Sequence, residues 1–236
     1  MRVIVMGGHG KVGSAIAQVL RPNYEVEIID LDKKPESKNY EVLHVCIPFQ
    51  GGFVQKVQSV MTEFGTPHVI VHSTVPVGTT KAIGKFVVHS PIQGQHDDLY
   101  NSLFRFPKWV GATDAGEASF AVAHLGIAGL RAKVLGTPND TEAMKLICLA
   151  RYLHELAFYE NVSEMATKLR FKKELISRWT KGFNEGYKGT KWARSVLDFP
   201  GGKVGGSCVA QNTKILYEET KNQMLKTDLE AFGLIP

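Results

Sequence analysis

The residues Val3-Ile4-Val5-Met6-Gly7-Gly8-His9-Gly10-Lys11-Val12-Gly13 form a short aliphatic run that stops on glycines and leads into a helical pattern over 13–20. Glycines at 8, 10 and 13 give the G-x-G-x-x-G spacing, which carries meaning when a strand precedes it and a helix follows. There the glycines permit a tight turn, let a pyrophosphate approach the backbone and let the helix pack closely, while the helix N-terminus offers oriented N–H donors. His9, Lys11 and Val12 complete this cofactor loop. A second aliphatic run, 26–29, ends on Asp30, where an acid about 20 residues along accepts hydrogen bonds from the adenosine ribose hydroxyls. A carboxylate there repels a 2′-phosphate and favours NAD, although Lys33 and Lys34 close by leave NADP open. The competing reading is a glycine-rich turn in some other α/β protein.

Working outward, further apolar runs at 43–47, 69–71, 86–88 and 109–111 are continuous rather than alternating, as strands covered on both faces of a parallel sheet require. Helical stretches fall between some of them, notably 53–64. The alternation predicts a doubly wound α/β domain over 1–138, with the crossover between Asp30 and Leu43 trimmed to a loop. After Pro138 the pattern turns helical: a long run capped by Asn139 or Asp140, a second over 173–188, a glycine-rich break at 200–206 and a last helix over 209–229. The domain 139–236 is therefore mainly helical.

The 236 residues with 44% hydrophobic content are those of a globular chain with a sizeable core, which excludes disorder and collagen-like repeats. Twenty-eight basic against 23 acidic residues give +5, too little for a dedicated nucleic-acid binder. Basic residues do gather over 168–194 among Trp179, Phe183, Tyr187 and Trp192, and a solvated face beside core aromatics explains them better than a base-stacking surface. Three cysteines are too few for a disulfide framework and fit a reducing compartment, so a cytoplasmic location is expected. Cys46 and Cys148 sit in apolar runs and read as core. The N-terminal apolar run is too short for a signal peptide, and the region 143–159 is interrupted by Lys145, Arg151, His154 and Glu155, so no membrane partner is expected. No metal site is expected.

Two further loops, His72-Ser73-Thr74-Val75-Pro76-Val77-Gly78 and His89-Ser90-Pro91, follow strands directly and so face a cofactor bound at the strand ends. They resemble the Ser-Thr-Val-Pro-Val-Gly loop and Ser-Pro segment of the UDP-glucose and GDP-mannose dehydrogenase family. Leu43-His44-Val45-Cys46-Ile47-Pro48 resembles that family's third strand. Glu142-Ala143-Met144-Lys145 is similar to its Glu-x-x-Lys helix, and Gly205-Gly206-Ser207-Cys208 to the loop of its nucleophilic cysteine; the resemblance runs from residue 1 to about 216.

This resemblance implies a Rossmann-type sheet followed by a helical dimerisation and substrate domain, NAD as cofactor, and oxidation of a sugar or sugar-nucleotide alcohol. It makes Cys208 the thiol that captures the aldehyde, Lys145 the oxyanion partner and Thr74 the neighbour of nicotinamide. Pro48, Ser73 and Thr74 would touch the cofactor, and His89, Ser90, His96, Asn184, Gly206 and Asn212 the substrate. A thiol at a helix start beside a lysine has the positive surroundings a thiolate needs. Against these roles stand a small buried cysteine after a turn and a lysine snorkelling from a helix.

Departures from the family pattern narrow the chemistry. Ile92-Gln93-Gly94-Gln95-His96 replaces the acidic residues after Ser90-Pro91, Leu149 replaces an asparagine, and Gln211-Asn212 replaces a Lys-Asp pair. Without those carboxylates the second oxidation and hydrolysis lack a base unless His96 or His89 serves, which leaves a single two-electron step open. Family members also continue into a third domain, whereas this sequence stops at Pro236. The 143–159 helix, apolar around much of its circumference, points to burial on several sides and, with the resemblance, to a homodimer; an internal core helix is the alternative. Two rival functions stay open: a prephenate- or hydroxyacid-dehydrogenase-like enzyme using His89, and a non-catalytic dinucleotide-binding regulatory protein.

Overall fold

The computed structural model describes residues 1–30, 35, 39–196 and 207–236, and only the backbone of His96 and Ser207. Lys33, Lys34, Gly206 and the glycine-rich break lie outside the described residues, as does most of the loop expected after Asp30.

The aliphatic runs form strands β1 (Arg2–Met6), β2 (Glu25–Ile29), β3 (Val42–Val45), β4 (His68–Val71), β5 (Val87–His89) and β6 (Lys108–Gly111), joined by β7 (Ala132–Gly136). Their order is β2-β1-β3-β4-β5-β6-β7 in a seven-stranded sheet, and β1 to β5 run parallel. Helices α1 (Lys11–Leu20), α4 (Leu99–Arg105) and α5 (Ala115–Ile127) share one core with Val3, Val5, Val42, Ile70 and Val88. Helices α2 (Phe53–Phe64) and α3 (Thr79–Ile83) share a second core with Ile4, Met6, Leu43, Val45 and Val69. Successive strand residues point to opposite faces, so a sheet covered on both sides demands unbroken apolar runs.

The far edge departs from a purely parallel sheet. β6 meets β5 antiparallel, through the single pair His89↔Gly111, and β7 pairs parallel with β6. β7 escaped the sequence reading because it is an edge strand with exposed Val134 and Leu135, which weakens its apolar signature. Helix α5 escaped it as well, although Asp114 caps it by accepting the N–H of Glu117 at 3.0 Å.

Contacts divide the chain into two compact units, Met1–Lys145 and Leu146–Pro236. The second is built from α6 (Pro138–Leu169), whose first turns belong to the first unit, with α7 (Leu175–Gly186), α8 (Ser207–Thr220) and α9 (Gln223–Ala231). Leu153, Val209 and Leu229 form its core, and His154 Nδ1 meets the Asp228 carboxylate at 2.9 Å. The expected single helix over 209–229 is two: Lys221 adopts φ 50° and the Asn222 side chain accepts the N–H groups of Met224 and Leu225, restarting the helix as an N-cap.

Cys46 is buried, but Cys148 is exposed and is not a core residue. On α6 the buried positions Leu146, Ala150, Leu153 and Ala157 recur every three or four residues, and Cys148 falls on the opposite side. Met144, Ile147, Phe158, Met165 and Leu169 are exposed as well, while Tyr159, Val162 and Ala166 further along are buried, so α6 is covered on more than one side and still leaves apolar residues at the surface. Among the described residues no helix is long and apolar enough to cross a membrane.

Candidate functional site

The loop after β1 is built by close approaches. Gly7 takes φ +82°, its N–H donates to Ile29 O at 2.8 Å, and its carbonyl accepts the N–H of Gly10 at 3.1 Å. A Cβ on Gly13 would stand 2.1 Å from Gly7 O, so only glycine lets α1 seat this tightly on the strand end. Helix α1 thus begins at Lys11, immediately after the turn, and the amides of its first turn lack intrahelical acceptors, which makes its positive end a natural anion site. His9, Gly10 and Lys11 are exposed, whereas Val12 packs against the core and brings its backbone rather than its side chain to the loop surface. Lys11 Nζ lies 3.1 Å from Asp97 Oδ1.

Asp30 closes the far side of the loop, its Oδ2 accepting the N–H of His9 at 3.0 Å. A cavity of about 610 Å³ opens there, lined by Met6, Gly7, Gly10, Ile29, Asp30, Cys46, Ile47 and Pro48. It lies between the ends of β1 and β3, where the strand order reverses, the place where open α/β sheets bind their ligands. Gln50, Lys56, Ser59 and Glu63 also line it and were not foreseen. They come from the α2 region, whose helical pattern announces packing and nothing of a ligand.

The Ser73-Thr74 loop is pinned at both ends. Ser73 Oγ donates to Ile47 O at 2.6 Å, tying it to the cavity wall, while Thr74 is half-buried. At the other end Glu142, fully buried, accepts the N–H of Gly78 at 2.6 Å and of Thr80 at 2.8 Å. The first residue of the Glu-x-x-Lys helix therefore fastens the loop to α6. Lys145, one turn on, donates from Nζ to Ile92 O at 2.8 Å.

His89 and Ser90 are both completely buried. His89 lies 2.8 Å from Thr141 Oγ1 through Nδ1 and 3.1 Å from Ser73 O through Nε2. A carbonyl only accepts, which places the neutral ring's proton on Nε2. Burial lowers its pKa to about 3, with Lys108 and Lys145 adding to the effect against the Ser73 hydrogen bond. Ser90 Oγ donates to Trp109 O at 2.8 Å.

Thr74, His89, Ser90 and Lys145 belong to the first unit, together with the glycine loop and Asp30, whereas Asn184, Cys208 and Asn212 belong to the second. Cys208 is partly exposed in the first turn of α8, and Asn212, four residues on, is buried. Asn184 holds the backbone of Arg194, accepting its N–H and donating to its carbonyl, each at 2.8 Å. The side chain of His96 lies outside the described residues.

No family model matches the sequence and no curated protein matches it. Solved structures do. A UDP-D-ManNAc dehydrogenase from Pyrococcus horikoshii superposes with a TM-score of 0.82 at 16% identity, over 98% of this chain and 68% of that one. A UDP-glucose dehydrogenase from Pyrobaculum islandicum gives 0.74 at 17% identity, over 98% and 67%. A 3-hydroxyisobutyrate dehydrogenase from Mycobacterium tuberculosis gives 0.73 at 14% identity, over 98% of this chain and 93% of that one. The chain therefore has the fold that these sugar-nucleotide and hydroxyacid dehydrogenases share.

Proposed function

We propose that the chain is an NAD-dependent oxidoreductase acting on the alcohol or carbonyl group of a small sugar or sugar-nucleotide substrate. One observation carries this reading: the loop of Gly8, Gly10 and Gly13, shaped by contacts that a Cβ at 13 would destroy, shares a cavity with the carboxylate that a ribose needs. The residues fit a dinucleotide. The first-turn amides of α1 would take the pyrophosphate, Asp30 the adenosine ribose, and Pro48, Ser73 and Thr74 the remainder. When bound, the nicotinamide supplies the hydride chemistry. In this reading Cys208 is the thiol nucleophile, favoured by its place in the first turn of α8, and Lys145 holds positive charge for an oxyanion. The exposed apolar residues Ile147, Phe158, Met165 and Leu169 on α6 support a homodimer, and the low cysteine count a cytoplasmic setting.

A hydroxyacid substrate is the second reading, favoured because the matched hydroxyisobutyrate dehydrogenase is covered over 93% of its length. His89 serves it poorly as a base, since it is fully buried with both ring nitrogens engaged.

Calorimetric titration with NAD, followed by a screen for NADH formation over sugar nucleotides, sugars and hydroxyacids, tests these readings. Binding with turnover that Cys208→Ser abolishes supports the thiol enzyme. Turnover that survives this change assigns the hydroxyacid reading, and binding without turnover on any substrate assigns a regulatory role. Absence of NAD binding overturns all three.

A further inference from the structure

The segment 168–194 holds nine basic residues to two acidic ones, Glu174 and Glu185, a surplus of seven, and the other 209 residues hold 19 to 21, a net of −2. The positive charge of the chain is therefore concentrated in one stretch of the second unit. All nine but Lys173 are exposed, and those eight form no ion pair among the described residues. The aromatic residues among them, expected beside a solvated face as part of the core, are not core: Trp179 is 78% exposed, Trp192 61%, Tyr187 42% and Phe171 40%.

Helix α7 is amphipathic, with Leu175, Ile176, Trp179 and Phe183 in one arc, yet none of its residues is buried. At about 100° per residue Leu175 and Trp179 stand about 40° apart, with Arg178 about 60° and Lys181 about 120° round from Leu175 on the open side. Ile176 and Phe183, round the other way, are half-buried and attach the helix to its unit. The loop that follows is pinned back onto α7: Asn184 holds the Arg194 backbone at both its N–H and its carbonyl, and the Arg194 guanidinium lies 3.9 Å from the centre of the Phe183 ring. Trp192 is thus carried on a braced loop, and its ring has the Lys191 ammonium 5.4 Å from its centre. Exposed apolar side chains and uncompensated cations are interleaved on one helix and the loop attached to it.

We propose that this face of the second unit docks on an anionic phospholipid surface, with Leu175 and Trp179 entering the headgroup boundary and the surrounding lysines and arginines meeting the lipid phosphates. An amphipathic helix with Trp and Leu on one side and basic residues beside them lies in the plane of such a surface, and it needs no spanning segment. Arg178 and Lys181 reach the phosphates from stems laid along the apolar boundary. Each basic side chain near the surface adds its own attraction to the anionic leaflet. A second copy fits this face poorly, because two surpluses of seven positive charges would meet. A single-stranded nucleic acid fits it less well than a bilayer does. Leu175 has no flat ring for a base to stack on, and six of the nine cations are lysines, point charges without the planar fork that recognises bases and phosphates bidentately.

Sedimentation of the full chain with sucrose-loaded vesicles tests the proposal. Vesicles of phosphatidylcholine with about one third phosphatidylglycerol should carry the protein down at low salt and release it as salt rises, and vesicles of phosphatidylcholine alone should leave it in solution. The triple variant Lys172→Gln, Arg178→Gln, Lys181→Gln should bind about a hundredfold more weakly, about fivefold for each charge removed. Trp179→Ala should lose about tenfold. In the wild-type chain the emission of Trp179 and Trp192 should move to shorter wavelength on the anionic vesicles, and this readout decides alone if a variant does not fold. Equal binding to both vesicles, binding to neither, or variants that bind as the wild type does overturn the proposal. Retention on a single-stranded oligonucleotide in place of the anionic vesicles overturns it too, as does self-association that Trp179→Ala abolishes in a chain that ignores vesicles. No readout needs cofactor or turnover, so failure here is separate from failure of the proposed reaction.

Discussion

The carboxylate of Asp30 accepts the backbone N–H of His9 at 3.0 Å, so the acid placed to meet a ribose also braces the loop placed to meet a pyrophosphate. Asp30→Ala removes a charged acceptor from both tasks. A charged hydrogen bond contributes about 1.5–3 kcal/mol, and NAD affinity by calorimetry should fall about ten- to hundredfold. An unchanged affinity would place the ribose elsewhere.

Glycines 10 and 13 should answer differently to the same methyl group. At Gly10 a Cβ would meet Gly7 O at 3.3 Å, which a small shift relieves, whereas at Gly13 it would stand 2.1 Å from that backbone oxygen. Urea unfolding should show Gly10→Ala costing about 1 kcal/mol or less and Gly13→Ala about 3 kcal/mol or preventing folding. Equal costs would contradict the tight seat of α1.

Glu142 is a buried anion satisfied by the N–H groups of Gly78 and Thr80. Glu142→Ala strands both donors, at about 1–3 kcal/mol each, and frees the Ser73-Thr74 loop. The expected result is a loss of several degrees in Tm together with weaker NAD binding. Glu142→Gln keeps one acceptor and should fall between the two.

Acid should unfold the first unit through its histidines. Burial lowers His89 to about 3 and His124 to about 4, and holds His44 and His72 well below 6.5. Between those values and 6.5 the native rings are neutral while the unfolded ones are protonated, so unfolding takes up protons and stability falls as pH falls. With up to four such rings, each contributes about 1.4 kcal/mol per pH unit while its titration window lasts. For Lys108, lowered from 10.5 to about 7, the unfolded state also binds the extra proton, so stability rises with pH across that interval. Urea midpoints measured against pH check both slopes; a flat profile below 6.5 would contradict the buried, neutral histidines.

If α6 is the dimer contact, charge on its exposed apolar residues should separate the protomers. Phe158 is 51% exposed and Leu169 73%, so Phe158→Glu and Leu169→Glu should leave the fold intact while sedimentation shifts from dimer to monomer. A wild-type chain that sediments as a monomer removes the proposal.

Where geometry is local, the sequence announces it. The strand, glycine loop, helix and acid from Val3 to Asp30 are legible because each rests on neighbours in the chain or on backbone conformations that few residues tolerate. What stayed hidden is long-range or depends on a partner surface. Cys148 reads as core in an apolar run, and only the phase of α6 turns it outward. His44, His72 and His124 are scattered singly through the sequence, and strand pairing with a helix crossing brings them into line. Asn222 restarts the chain as an N-cap, a break concealed by the helical pattern that continues on both sides of it.

The junction between β5 and β6 shares only the pair His89↔Gly111, yet Ser90 Oγ reaches across to Trp109 O and the Lys108 amine reaches back to the Ser90 and Pro91 carbonyls. Elsewhere the sheet is laced by main-chain bonds that any residue supplies. Here the stitching is written in two particular side chains, so amide hydrogens along β6 and β7 should exchange with deuterium sooner than those of β1, β3 and β4, and a single residue change at Ser90 should widen the gap.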